Sequence, residues 1–372
     1  MKILVVFTYN YSLLTWKDSG TLNKELKTYK LLIEKNNIDY TFLTFDDPKK
    51  VKDIFSNTDI SVISVFEKIK KSKYKKINYF KSFLIPFYFK NELKDIDIIK
   101  QNQLMGSWIS LMLKFLLKKP LIIRTGYDMY EFSKKENKKK LIQVLYKYLT
   151  YFSLLFSDLY LVSSKCDFNF LKKEFKFNIS KLLIRPNWVT KTEYVELKNR
   201  IENRIVCIGR LVNQKNFSFI ISAFSHSNYV IDIIGDGELK KDLQILAKNS
   251  NTKINFLGNL ENEEILNILP TYKFYITSSI YEGNPKSTLE AMSAGCIVVA
   301  SNIDNHAEII NNEKNGFLFS FEEKEFISFF KKINNRKDLD EISIAARESV
   351  LYKNSLEKLS NLEYEDYLKL IV

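Results

Sequence analysis

The chain has 372 residues, 45% of them apolar, and a net charge of +13. That size and apolar fraction suit a globular protein with two hydrophobic cores. Cys166, Cys207 and Cys296 lie far apart in or beside apolar runs, which excludes a disulfide or zinc scaffold, and His226 and His306 are too few for a histidine-based metal site.

Lys2–Thr8 has the apolar run of a buried first strand, and Met1–Phe7 lacks the basic leader and cleavage site of a secretory signal. Leu22–Asn36 is helical in period, and Tyr40–Phe45 and Ile60–Val65 are further strands. Lys68–Lys90 then carries eight lysines interleaved with Tyr74, Tyr79, Phe80, Phe83, Phe87, Tyr88 and Phe89. This segment reads in two ways. It is a solvated helix face followed by a core strand, or a surface that docks on an anionic membrane leaflet with Phe83, Phe87 and Phe89 in the interface.

Ile96–Lys100, Leu121–Arg124 and Leu159–Ser163 continue the strand series, with helices near 104–117 and 137–156. The apolar stretches Leu104–Leu117 and Tyr151–Val162 are broken by charge or too short to span a bilayer, so the chain is expected to be cytoplasmic and at most peripheral on a membrane.

The alternation breaks at Ile184-Arg185-Pro186-Asn187 and a polar stretch runs to Asn203. This places a boundary between a first domain, 1–187, and a second, 188–349. The second domain repeats the strand–helix pattern. Its strands are Ile205–Ile208, Tyr229–Ile234, Ile254–Leu257, Phe274–Ser278 and Ile297–Ala300, with helices near 216–226, 238–248, 262–268 and 287–294. Leu356–Val372 is helical again, and its Leu359, Leu362, Tyr364, Tyr367, Leu368 and Leu370 need cover. The fold class is therefore α/β, two doubly wound Rossmann-like domains facing a central cleft. Residues 1–190 hold 35 Lys and Arg against 18 Asp and Glu, a net of +17, while the remainder holds 22 against 26. The first domain is thus expected to face an anionic partner.

Ligands of such folds bind outside the carboxyl ends of strands, near helix N-termini. After 205–208 stands Gly209-Arg210-Leu211-Val212-Asn213-Gln214-Lys215, where a guanidinium fork and an ammonium share one loop, as a diphosphate requires. After 229–234, Gly235-Asp236-Gly237-Glu238 is turn and cap chemistry, although Gly235 lets backbone approach a ligand. After 274–278 comes Glu282-Gly283-Asn284-Pro285-Lys286-Ser287, and Ser287-x-x-Glu290 matches a capping box. Glu282 precedes that helix, where a carboxylate can accept sugar hydroxyls, and Gly283 and Asn284 can offer backbone N–H groups. As a glycosidase pair, separated by roughly 5–9.5 Å, Glu282 and Glu290 fit less well, because a capped Glu290 is held as an ionised acceptor. Two Asp-x-Asp sequences, Asp95-Ile96-Asp97 and Asp338-Leu339-Asp340, lie off the expected site loops, and no metal is expected.

Arg210, Lys215, Glu282-x7-Glu290, Ile234-Gly235-Asp236-Gly237-Glu238-Leu239 and Phe256-Leu257-Gly258-Asn259 together resemble glycosyltransferase family 4 over about residues 204–320. The resemblance implies the GT-B fold and a retaining transfer from a nucleotide-sugar with no essential metal or other cofactor. It implies that Arg210 and Lys215 hold the diphosphate, that Glu282 contacts the donor sugar, and that Glu290 contacts the ribose. The remaining donor contacts would be Gly20, Gly209, Gly235, Asn259, Gly283, Asn284, Pro285, Lys286 and Ser287. Gly20 enters because Ser19-Gly20-Thr21 precedes a helix on the long loop after the first strand.

Many members carry a histidine after a central strand of the first domain. This chain has Arg124-Thr125-Gly126-Tyr127-Asp128 there, so Arg124, Tyr127 and Asp128, with Asn102, are the acceptor-side candidates. In proteins of this kind the last helix crosses back to the first domain, here 350–372. The expected partners are a nucleotide-sugar, a glycan or lipid-linked acceptor of bacterial surface polysaccharide synthesis, and an anionic membrane surface met through 68–90. No nucleic-acid motif is present. The competing readings are a catalytically silent sugar-nucleotide-binding subunit and a GT-B sugar-nucleotide epimerase.

Overall fold

The computed structural model describes residues 1–55, 59–176 and 179–371. It divides into two compact units, Met1–Pro186 joined by the chain end from Leu359, and Asn187–Lys358.

The first unit is built on a seven-stranded parallel sheet of order β3-β2-β1-β4-β5-β6-β7. Its strands are β1 Lys2–Val6, β2 Asp39–Thr44, β3 Ile60–Ser64, β4 Ile98–Asn102, β5 Leu121–Thr125, β6 Leu159–Val162 and β7 Leu182–Ile184. Helices cover both faces, which is why the central strands read as unbroken apolar runs. One face buries Phe7, Tyr29, Tyr40 and Phe42, and the other buries Trp108, Ile109 and Tyr160. The strand β7 was not expected from sequence, because three residues give no period to detect. The expected strand within 68–90 is absent. Lys75–Ser82 and Ile85–Phe89 are helices, the second opened by Pro86 in its first turn.

The closing helix, Leu356–Ile371, lies on this unit. Tyr367 is fully buried, with its hydroxyl 3.5 Å from that of Tyr40. Arg185 forks onto Asp366 through two bonds of 2.7 Å. Lys100, an apparent flaw in the apolar pattern of β4, is buried against Glu363 in an ion pair. Burial pushes the Glu363 carboxyl up, and the Lys100 ammonium more than offsets this, holding it below the usual carboxylate range.

The second unit carries a six-stranded parallel sheet of order β10-β9-β8-β11-β12-β13. These are β8 Ile201–Ile208, β9 Val230–Ile234, β10 Lys253–Gly258, β11 Tyr272–Thr277, β12 Ile297–Ser301 and the unexpected short edge β13 Phe317–Phe319. Successive strands run outward from β8 on one side and from β11 on the other. The β8/β11 boundary is therefore the topological switch point, the place where open α/β sheets bind ligands. In the first sheet the same boundary falls between β1 and β4.

Candidate donor site and acceptor-side residues

The loops leaving β8 and β11 lie side by side at the switch point of the second sheet. The first is fastened underneath by glycines. Gly209 N–H donates to Ile234 O at 3.0 Å, and Gly235 adopts φ 136° with its missing Cβ only 2.0 Å from Gly209 O. No side chain fits at Gly235 without moving backbone. The second loop is fastened laterally. Ile280 N–H donates to Gln214 O at 2.9 Å, and the Gln214 amide donates to Tyr281 O at 2.8 Å.

Across this seam the Lys215 ammonium and the Glu282 carboxylate form an ion pair, with side-chain exposures of 15% and 8%. Burial raises the Glu282 carboxyl, but the Lys215 charge and its hydrogen bond prevail and hold it below the usual range. Glu282 is thus an ionised acceptor, unsuited to protonating a leaving group. Arg210 stands exposed on the same loop as Lys215. One loop thus carries two cations, an exposed guanidinium and an ammonium largely buried in its ion pair.

Beyond Glu282 the chain is pinned from several sides. Asn187 N–H donates to the Asn284 side-chain oxygen at 2.8 Å, and the Asn187 amide donates to Asn284 O at 2.8 Å. Asn305 donates to Gly283 O at 2.6 Å. The helix Lys286–Ser293 then starts behind Pro285, and the expected capping box is not formed. The helix begins one residue earlier than Ser287, whose hydroxyl instead accepts from Tyr275 at 2.9 Å and lies 3.4 Å from Ile208 O. Glu290 accepts from Asn262 at 3.0 Å, a contact that ties this helix to the loop after β10 where Asn259 stands exposed. Gln214, Asn262 and Asn305 carried no signal in the sequence, since each acts through a partner far away in the chain.

Two histidines in the chain give His306 no metal partner to expect from composition. It is fully buried, and its Nδ1 donates to Ser301 O at 2.9 Å. Burial lowers its pKa against the opposing pull of Glu282, so the ring is neutral at pH 7.

On the first unit, the loop after β1 is short, because an unexpected helix, Leu13–Asp18, begins after Ser12. Gly20 lies beyond that helix in a turn at φ 69°, so it is not on the switch-point loop where sequence placed it. The glycine at the switch point is Gly106, at φ 100°, whose added Cβ would sit 2.9 Å from Tyr9 N. Asn102 ends β4 and donates to the Tyr29 hydroxyl at 3.0 Å. Arg124 reaches Arg185 O and Pro186 O, each at 3.4 Å. Tyr127 is exposed and stacks on Phe132, with centroids 4.5 Å apart. Asp128 is buried and caps the helix Met129–Lys135, accepting from Glu131 N–H at 2.7 Å.

The aromatics of 68–90 divide. Phe89 is fully buried and Phe83 stacks on Trp108 at 5.9 Å, so neither can enter a lipid interface. Phe80, Phe87 and Tyr88 are exposed. The Asp-x-Asp sequences are likewise engaged: Asp97 accepts from Lys2 N–H at 2.8 Å, and Asp338 is forked by Arg336.

Comparison with known proteins agrees with this architecture. Residues 190–348 match the family of glycosyl transferases group 1. Over 336 residues the chain is 24% identical to the UDP-Gal:alpha-D-GlcNAc-diphosphoundecaprenol alpha-1,3-galactosyltransferase of Escherichia coli, covering 84% of this chain and 80% of that one. Over 278 residues it is 27% identical to the capsular polysaccharide biosynthesis glycosyltransferase CapH of Staphylococcus aureus, covering 69% and 75%. Among solved structures, Anabaena HepE in complex with UDP superposes with a TM-score of 0.76 at 14% identity, covering all of both chains. The two parallel sheets and these likenesses show the GT-B fold, and residues 190–348 match the family of group 1 glycosyl transferases.

Proposed function

We propose that the protein is a retaining, metal-independent glycosyltransferase of family 4. It moves a hexosyl-type sugar from a nucleotide-diphosphate sugar to a lipid-linked or glycan acceptor in bacterial surface polysaccharide synthesis, working at the cytoplasmic face of the membrane. The observation that carries this reading is the Lys215–Glu282 pair at the β8/β11 switch point, with Arg210 exposed beside it. Charge builds on the diphosphate as the glycosidic bond breaks. The Arg210 and Lys215 cations meet that charge without a divalent metal, so leaving-group stabilisation supplies the rate enhancement. Glu282, kept ionised, accepts hydrogen bonds from donor sugar hydroxyls. Glu290, in the helix Lys286–Ser293 that follows, contacts the ribose in this reading. The acceptor class is taken from the diphosphoundecaprenol named for the E. coli relative.

The test is turnover with UDP-, GDP- and ADP-sugars and a polyprenyl-diphosphate-linked sugar. Arg210→Ala is expected to lower kcat by roughly 10²-fold or more, as losing one transition-state donor does, and activity is expected to survive excess EDTA. Near-wild-type rates in Arg210→Ala, or a loss in EDTA that Mg²⁺ or Mn²⁺ restores, would overturn the assignment.

A further inference from the structure

The helix Lys140–Phe156 packs Tyr146, Leu149 and Leu154 on the core and carries a second apolar face that points outward. Its outward stripe is Leu141, Val144, Leu145, Tyr148, Phe152 and Phe156, at the i, i+3, i+4 spacing of one helical face. Leu141 is 71% exposed, Leu145 59% and Tyr148 58%. No charge interrupts this stripe. The inward face also buries Thr150 and Ser153, whose hydroxyls bond to Asp128 at 3.5 Å and to Ser107 at 3.0 Å, so core packing does not require the outward stripe. Tyr148, Phe152 and Phe156 stack along the outer face, and Phe115 of the neighbouring helix Ser107–Leu117 adds its ring edge to Phe156 at 5.4 Å. An apolar patch this continuous marks an interaction surface.

Charge identifies the occupant. Lys138, Lys139 and Lys140 lead into one end of the stripe, and Lys118 and Lys119 stand beside Phe115 at the other. The nearby acids are already engaged: Glu136 by Lys138, Asp158 by Lys114 and Glu174 by Lys134 and Lys147. A second copy of the chain would bring like charge against like charge, since residues 1–190 carry +17. An anionic bilayer supplies both an apolar phase and negative headgroups. No helix among the described residues is long and apolar enough to cross a membrane. We propose that Lys140–Phe156 lies in the plane of an anionic lipid bilayer with its apolar stripe below the headgroups, and that it is the chief membrane anchor. The Ile85–Phe89 helix at the end of the lysine-rich segment packs against Ser107–Leu117, and that helix against Lys140–Phe156, so in this proposal the segment is a secondary, cationic contact.

The proposal rests on the reading of a membrane-borne acceptor, but it is tested without donor or acceptor. The full chain is sedimented with vesicles of phosphatidylcholine and phosphatidylglycerol at 1:1, and with phosphatidylcholine alone. Wild type is expected to bind the anionic vesicles. Leu141→Gln, Leu145→Gln and Tyr148→Gln combined are expected to lower the partition coefficient at least about tenfold with an unchanged or higher Tm, because all three side chains face out. Leu145→Trp is expected to shift its emission to the blue only with anionic vesicles. Equal partitioning of the triple variant and wild type would overturn the proposal. So would loss of binding confined to the variant with Lys70, Lys71, Lys73, Lys75 and Lys76 changed to Gln, although membrane docking itself would then stand. A wild-type dimer that the triple variant renders monomeric, without vesicle binding, would assign the stripe to a second copy and overturn it as well.

Discussion

The Asp128 carboxyl caps a helix, lies 1% exposed and has its pKa pushed up to about 7 by burial. Asp167, whose carboxylate accepts from Asp128 N–H at 3.2 Å, is raised to about 6 for the same reason. An acid with a raised folded pKa holds its proton in the native state after the unfolded chain has released it. Its contribution to stability is therefore present at low pH and is lost as pH rises from about 4 to about 7. Asp128→Asn keeps the cap, since Asn serves there as well as Asp, and removes this titration. The loss of unfolding free energy between pH 5 and pH 8, measured by urea denaturation, is expected to shrink in the variant by on the order of 1–2 kcal/mol. An unchanged difference would contradict the assignment. The identity of Asp128 was legible in the sequence as a polar residue on a site loop. Its occupation was not, because the groups that bury it come from the helices around Thr150 and Asp167. Lys215 and Glu282 behaved likewise: each was recognisable on its own loop, whereas the ion pair joins residues 67 apart.

At the scale of elements, the closing helix shows what periodicity can and cannot reveal. Its period indicated the helix and its need for cover, and Leu359 and Tyr367 are buried while Leu368 remains exposed. The polar contacts that fix it, Glu363 on Lys100 and Asp366 on Arg185, follow no period. Breaking a buried pair strands its partner. Glu363→Ala is expected to lower stability by about 3–5 kcal/mol, read by urea denaturation, with Lys100→Met/Glu363→Leu recovering much of it. A single variant as stable as wild type would show that the pair does not hold the helix. The central strands of both sheets were legible for the opposite reason, since burial on both faces leaves an apolar run that requires no partner to recognise.

Over the whole molecule, net charge and family match fall on different stretches of the chain. The first 190 residues carry the net +17 and the outward apolar stripe, and residues 190–348 carry the matched glycosyl transferase domain. The site of the second unit was the more legible because its residues cluster on two loops at one switch point. The first unit offers Asn102, Arg124, Tyr127 and Asp128 on two strand exits, each already in contact with its own neighbours. The central claim is that the β8 and β11 loops hold a nucleoside diphosphate through Arg210 and Lys215. It is tested most directly by calorimetric titration of UDP, GDP and ADP into wild type and Arg210→Ala, because Arg210 is exposed and its loss leaves the fold intact. At least one of the three is expected to bind wild type and to bind Arg210→Ala at least about tenfold more weakly, the loss of one charge-assisted contact. Absence of binding by all three, or equal affinity in the variant, would contradict the account.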